Sequence, residues 1–149
     1  MGNFGLKVNR FYEIFVEQNG YVMVLEGLKN TLLIAVIGLI IGIVIGTLIA
    51  AIRTIPQYKV LPRVLNGICS VYVGIFRGTP MVVQLLVFYY VMLPLMGVKM
   101  TGVQVSMIVF GLNSAAYISE IMRSGIMSVD SGQMEAGRAV GLSYGTTMM

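Results

Sequence analysis

The stretch NTLLIAVIGLIIGIVIGTLIAAI, residues 30–52, decides the fold. It contains no charged residue. As a helix rising about 1.5 Å per residue it would be about 35 Å long, enough to cross a hydrocarbon layer of about 30 Å. Lys7, Arg10, Glu13, Glu17, Glu26 and Lys29 crowd its N-terminal side, and Arg53 closes it. Further along, Val64–Phe76 is charge-free and ends at Arg77. The runs Gly78–Val98 and Met100–Ser119 follow, separated by Lys99 and closed by Glu120 and Arg123.

The whole composition agrees with a lipid environment. The chain has 149 residues, 57% of them hydrophobic and 11% charged, and its mean hydropathy is +0.87. A soluble domain carries about 25% charged residues. Ten basic and six acidic side chains are too few to cover a soluble globule, and the same shortage excludes disorder and coiled coil. The expected fold class is therefore all-α, a polytopic membrane helical bundle. There is no histidine, and Cys69 is the sole cysteine. That removes His-based catalysis, internal disulfides and Cys or His metal clusters, so no catalytic residue, metal or cofactor is expected. The net charge is +4, but Lys and Arg stand singly. In a membrane chain this reads as an orientation signal and not as nucleic-acid binding.

Three spanning helices are predicted. The first covers Leu28–Ile52 and the third Gly102–Met122. Between them, Val64–Val98 is too long for one crossing of about 20 residues. Gly78-Thr79-Pro80 breaks it, because proline removes a donor and disfavours helix at the residue before it. Leu61–Phe76 is read as a helix on or entering the membrane surface, and Pro80–Leu95 as most of the second span, finished by Pro94 and Gly97. The first 20 residues are not read as a signal peptide, since Glu13 and Glu17 interrupt them. Lys and Arg on alternate sides total four against five, which slightly favours an outside N-terminus.

Particular side chains suggest roles. Gly38, Gly42 and Gly46 form a small-xxx-small face suited to close helix packing, although glycine is common in membrane helices in any case. Ser106, Asn113, Tyr117, Glu120 and Ser124 fall along one stripe of the third helix. A polar stripe in lipid should face protein or a watered path, and Glu120 at membrane depth is a functional candidate. Alternatively Glu120 pairs with Arg123 three residues on and anchors the helix end. Arg77 could pair with an acid inside the bundle, line a solute path, or snorkel to the surface. Gln84 and Tyr89 could extend its polar face. Tyr21, Tyr58 and Tyr72 suit interfacial belts. Asp130-Ser131-Gly132-Gln133 reads as a helix start, with Asp130 or Ser131 as cap and Gln133 bonding back. A short helix Gly132–Val140 would follow, closed by Gly141. It is too short to span. It suits insertion into a groove on a soluble partner, or a plain amphipathic connector.

Several of these stretches together resemble a known family. Glu135-Ala136-Gly137-Arg138-Ala139-Val140-Gly141 is similar to the EAA loop of integral membrane subunits of ATP-binding-cassette (ABC) importers, with Gly137 in place of the second Ala. Phe76-Arg77-Gly78-Thr79-Pro80 with Gln84-Leu85, Gly27-Leu28-Lys29-Asn30-Thr31-Leu32, and Ala116-Tyr117-Ile118-Ser119-Glu120-Ile121-Met122-Arg123 resemble the polar amino acid branch, the histidine, glutamine and arginine type. The likeness runs from about Glu26 to Met149.

The resemblance implies a type I importer permease in the plasma or inner membrane of a prokaryote, multi-pass, with the N-terminus outside. It implies five spans in a full subunit and a cytoplasmic EAA loop between the third and fourth. The chain ends at Met149, before the Ile-x-Leu-Pro element that closes the motif. Residues 1–149 are therefore expected to be one transmembrane permease domain, truncated before its C-terminal spans. The implied partners are a separate ABC ATPase, an extracytoplasmic solute-binding protein, a second permease subunit (same or related), the lipid bilayer and a polar amino acid. No nucleic acid is expected. The chain has no Gly-x-x-x-x-Gly-Lys-Ser/Thr loop, so it is not expected to be an ATP-hydrolysing enzyme. Glu135, Ala136, Gly137 and Gly141 are the expected ATPase-coupling residues. Arg77, Thr79, Gln84, Asn113, Tyr117 and Glu120 are the expected substrate path.

Three rivals belong to other classes. A small proton-coupled exporter predicts an acidic residue inside the first long span, where there is none. A non-transporting membrane scaffold built on the glycine face predicts no ATPase partner, so co-purification discriminates. A membrane enzyme lacks a visible nucleophile–base pair.

Overall fold

The computed structural model describes residues 3–56 and 58–148. Residues 1, 2, 57 and 149 of the expected domain lie outside the described residues. The elements are α1 (Asn3–Tyr12), a π-helical turn (Glu13–Glu17), α2 (Gly20–Thr54), α3 (Val60–Gly78), α4 (Met81–Val87), a second π-helical turn (Phe88–Met92), α5 (Leu93–Leu95), α6 (Gly102–Met127), α7 (Ser131–Ala139) and α8 (Tyr144–Met148). The described residues are mostly helical, joined by turns and short extended connections, with no strand among them.

Helix α6 is the central post. It buries Val105, Val109, Asn113, Ala115, Ala116 and Ser119 and is touched by α2, α3 and α4. Its start is a complete capping box. Thr101 Oγ1 accepts from Gln104 N–H, and the Gln104 side chain accepts from Thr101 N–H at 2.9 Å.

Helix α2 lies along α6 through its glycines. Added side-chain carbons at Gly38, Gly42 and Gly46 would meet Phe110, Ser114 and Ile118 respectively. Further down, Thr47 reaches Met122 and Arg53 reaches Glu120. The partner numbers rise together, so α2 and α6 run parallel. Parallel neighbours require the chain to return between them, and α3 through α5 make that return. Helix α4 runs opposite to α6: Gln84 meets Asn113, while Leu86 and Tyr90 share a cleft with Gly102 and Ser106.

The other faces of α2 remain apolar. Leu32, Val36, Leu39, Ile40, Ile43, Val44 and Leu48 point away from the bundle and are exposed. A helix apolar all round is buried or lipid-bound. Three helices are long and apolar enough to cross a membrane: Gly20–Thr54, Val60–Gly78 and Gly102–Met127.

Leu61–Phe76 is expected to lie on or enter the membrane surface, with Pro80–Leu95 as most of the second span. In the structure α3 has 19 residues and its C-terminal half packs into the bundle through Val73 and Tyr72. Met81–Leu95 is shorter than a full span. The expected break is present: Pro80 constrains Thr79, which is extended at φ −117° and ψ 143°, and helix persists up to it through Arg77 and Gly78. One expectation needs correction, that for Tyr72. Its hydroxyl donates to the Leu112 carbonyl at 2.6 Å, about halfway along α6, so it is a bundle-interior contact and not part of an interfacial belt.

Candidate functional site

The expected path residues fall into two adjacent groups. The first surrounds the break between α3 and α4. Pro80 has no N–H, so the Phe76 carbonyl loses its normal helical donor. Gln84 Nε2 donates to it at 2.9 Å and Asn113 Nδ2 at 3.3 Å. Gln84 Nε2 also donates to the Thr79 carbonyl at 3.1 Å and to Thr79 Oγ1 at 2.8 Å. Thr79 Oγ1 in turn donates to the Ile75 carbonyl at 2.8 Å. Finally, Gln84 Oε1 accepts from Asn113 Nδ2 at 3.2 Å. Every freed carbonyl named here has a side-chain donor. Irregular backbone at membrane depth is tolerated only where protein supplies such partners. Gln84 and Asn113 are buried, each 7% exposed. Thr79, Gln84 and Asn113 thus hold the break together.

The second group centres on Glu120. Its Oε2 lies 2.7 Å from Arg53 Nη1 and 3.7 Å from Arg77 Nη1, and its Oε1 lies 2.6 Å from Arg123 Nη2. Arg123 Nε adds a bond at 3.2 Å. One carboxylate therefore sits among three guanidinium groups from α2, α3 and α6, a local excess of two positive charges. Pairing with Arg123, one of the readings of the sequence, occurs here, but so does pairing across the bundle. Both carboxylate oxygens are committed to Arg53 and Arg123. Arg77 donates no hydrogen bond among the described residues. Its guanidinium carbon stands 5.5 Å from the Tyr117 ring centroid, within cation–π range. Arg77 and Tyr117 are both exposed beside the bundle. Ser106 and Ser124 belong to neither group.

A third group lies below. Asp130 Oδ1 accepts from Gly132 N–H at 2.7 Å and caps α7, so Asp130 is the cap and the expected back-bond from Gln133 is replaced by this one. The helix ends in a Schellman motif. Leu142 N–H donates to the Gly137 carbonyl and Gly141 N–H to the Arg138 carbonyl, with Gly141 at φ +86°. Glu135 and Ala136 are exposed. A side-chain carbon on Gly137 would collide with Thr147 of α8. Tyr144 on α8 donates to the Thr54 carbonyl at 3.2 Å. That bond ties the α7–α8 pair to the end of α2, one residue from Arg53. A cleft of about 510 Å³ separates α7 and α8 from the α2–α3 loop, lined by Pro56, Tyr58, Pro62, Met134, Arg138 and Tyr144.

Sequence reading missed Arg53, Tyr144 and Thr147. Arg53 carried a usable signal, as the first charge after the longest apolar run. Tyr144 and Thr147 carried none.

Residues 42–149 match the family described as the binding-protein-dependent transport system inner membrane component. The chain belongs to that family. Its place is in a membrane, and an inner membrane component of this kind is a transport protein by family, not a catalytic subunit.

Among relatives of this inner membrane component, the arginine transport system permease protein ArtQ of Bacillus subtilis (strain 168) is 39% identical over 125 residues, 84% of this chain and 55% of that protein. The putative glutamine transport system permease protein GlnP of Rickettsia bellii (strain RML369-C) is 40% identical over 119 residues, 80% of this chain and 52% of that one. The L-cystine transport system permease protein TcyB of B. subtilis is 35% identical, covering 89% and 54%. A solved amino acid ABC transporter with histidines has a TM-score of 0.74 at 31% identity, covering 90% of this chain and 60% of that one. The chain spans about half the length of the curated relatives it matches.

Proposed function

We propose that residues 1–149 form one permease domain of an ATP-driven importer for a polar amino acid. The observation that carries this reading is the exposed, capped helix α7, tied by Tyr144 to the end of α2 within a chain of the inner membrane component family. Its relatives are described as arginine, glutamine and cystine permeases. In this reading α2, the α3–α5 limb and α6 each cross the plasma membrane of a prokaryote once, with the N-terminus outside and α7 in the cytoplasm. A separate ABC ATPase receives Glu135 and Ala136. Gly137 and Gly141 shape α7 for that groove, one by admitting Thr147 and the other by its left-handed turn. An extracytoplasmic binding protein delivers the solute, and a second permease subunit, the same or related, completes the path.

Movement of α7 on ATPase closure then passes through Tyr144 and Thr54 to Arg53, and from Arg53 to Glu120 and Arg77. Arg77 and Tyr117 are the solute-facing members. Thr79, Gln84 and Asn113 shape the path by holding the break. A rigid lever acting on a bundle of two arrangements is a known form of switching.

The test is a cysteine crosslink. Glu135→Cys on a Cys69→Ala background, co-expressed with the ATPase of the same system, should crosslink to it, and Ala136→Asp should abolish uptake while ATP hydrolysis by the ATPase persists. Normal uptake by Ala136→Asp, or labelling of Glu135→Cys from outside intact cells, overturns the reading.

A further inference from the structure

The residues before the first long helix form a structure that the permease reading does not use. In α1 and the π-helical turn, Phe4, Val8, Phe11 and Phe15 recur at steps of four, three and four, with Tyr12 beside them. That spacing lines one side of a helix. Arg10, Glu13 and Glu17 fall on the other side. Phe4 is 80% exposed, Phe11 65% and Val8 48%. Among the described residues, the one element helix α1 packs against extensively is the π-helical turn that follows it.

Two further observations say what covers this face. First, its aromatic seam runs without a gap into the first long helix. Phe11 stacks on Phe15 at 5.4 Å between ring centroids, and Phe15 meets the edge of Tyr21 at 6.4 Å. Tyr21 opens α2, whose apolar sides are already bound for lipid. Aromatic rings gather at the headgroup level of a membrane-crossing helix. Second, the joint between the two helices is tight. Asn19 is left-handed at φ 55°, and a side-chain carbon on Gly20 would stand 2.7 Å from the Ile14 carbonyl oxygen. The seam therefore continues directly onto the lipid-facing start of α2.

We propose that α1 and its π-helical turn lie in the plane of the bilayer interface, on the face where α2 begins, with Phe4, Val8, Phe11 and Phe15 set among the acyl chains. The segment then acts as a float that fixes the depth and tilt of α2. Lys7 and Arg10 are matched by Glu13 and Glu17, so attachment comes from apolar burial and does not require anionic lipid.

The test uses the intact chain on a Cys69→Ala background, reconstituted in phosphatidylcholine vesicles. Spin labels are placed singly by V8C, F11C, R10C and E13C, and collisions with oxygen and with a water-soluble nickel chelate are compared. An interfacial helix buries its apolar face about 5–10 Å below the headgroups. V8C and F11C should then favour oxygen severalfold over R10C and E13C, and vesicles containing phosphatidylglycerol should give the same contrast. Adding Phe11→Asp to V8C should drop its ratio to that of R10C. Equal nickel access at all four sites would mean a segment in water and overturn the proposal. Labels at V8C and F11C shielded from both reagents would mean a protein partner, such as a second copy, and overturn it as well.

Discussion

Replacing Gln84 by leucine keeps nearly the same volume and removes the polar centre of the α3–α4 break. Four contacts are lost: those to the Phe76 carbonyl, the Thr79 carbonyl, Thr79 Oγ1 and Asn113. Phe76 retains Asn113 at 3.3 Å, and Thr79 Oγ1 retains Ile75. The Thr79 carbonyl keeps no side-chain donor. Interhelical hydrogen bonds in membranes average about 0.6 kcal/mol and reach about 1.7, and an orphaned buried acceptor costs about 1–3 kcal/mol. Thr79 is exposed, so its carbonyl counts near the low end. Gln84→Leu should thus destabilise the bundle by about 2–3 kcal/mol. Asn113→Leu removes one bond to a carbonyl that Gln84 still holds and leaves the buried Gln84 Oε1 without its donor, so it should also cost about 2–3 kcal/mol. The double variant should cost less than the sum, with a coupling of about 0.6–1.7 kcal/mol. Denaturant titration of the intact chain in mixed micelles, read by circular dichroism, measures all three. Strict additivity would refute the hydrogen-bond account of the break.

Gly46→Val would set a carbon 2.9 Å from both the Ala115 carbonyl oxygen and Ile118 Cβ, and should cost at least about 1–3 kcal/mol in the same titration. Gly67 has open space around its added carbon, so Gly67→Ala should be neutral or gain about 0.5–1 kcal/mol. Glu120→Gln leaves three guanidinium groups facing one another. Their exposure of 13–42% tempers the loss to about 1–3 kcal/mol, and uptake of cationic and neutral amino acids should fall together. A selective loss of cationic uptake would instead make Glu120 a substrate ligand. Gly141→Ala forces a side chain into the left-handed region and should weaken the end of α7 by about 1–2 kcal/mol, seen as faster amide hydrogen exchange at Leu142.

Much of the fold was legible in charge spacing, because lipid penalises charge over a whole span and the gaps register that penalty directly. The ends of the spans were less legible. Glu26 and Lys29 lie inside α2, since a charge near a helix end bears on its depth and not on its helicity. The break at Gly78-Thr79-Pro80 was visible because proline acts locally. Its repair by Asn113 was not, since that residue lies 37 positions from Phe76. Glu120 stood out as an ionisable group at depth, and its neighbour Arg123 was visible at helical spacing. Arg53 is 67 positions away, and no local pattern joins the two. Helix α8 and its grip on Gly137 were equally hidden, so Gly137, expected to serve a partner, also serves a contact within the chain.

The interlock of α2 with α6 limits how this molecule can change shape. Three notches four residues apart, each filled by the opposing post, resist sliding and rolling, so these two rods should travel as a single plate. Whatever opens and shuts has to be the remaining limb. The proline gap, with its amide clasp, is the place along that limb where bending would break the fewest backbone bonds.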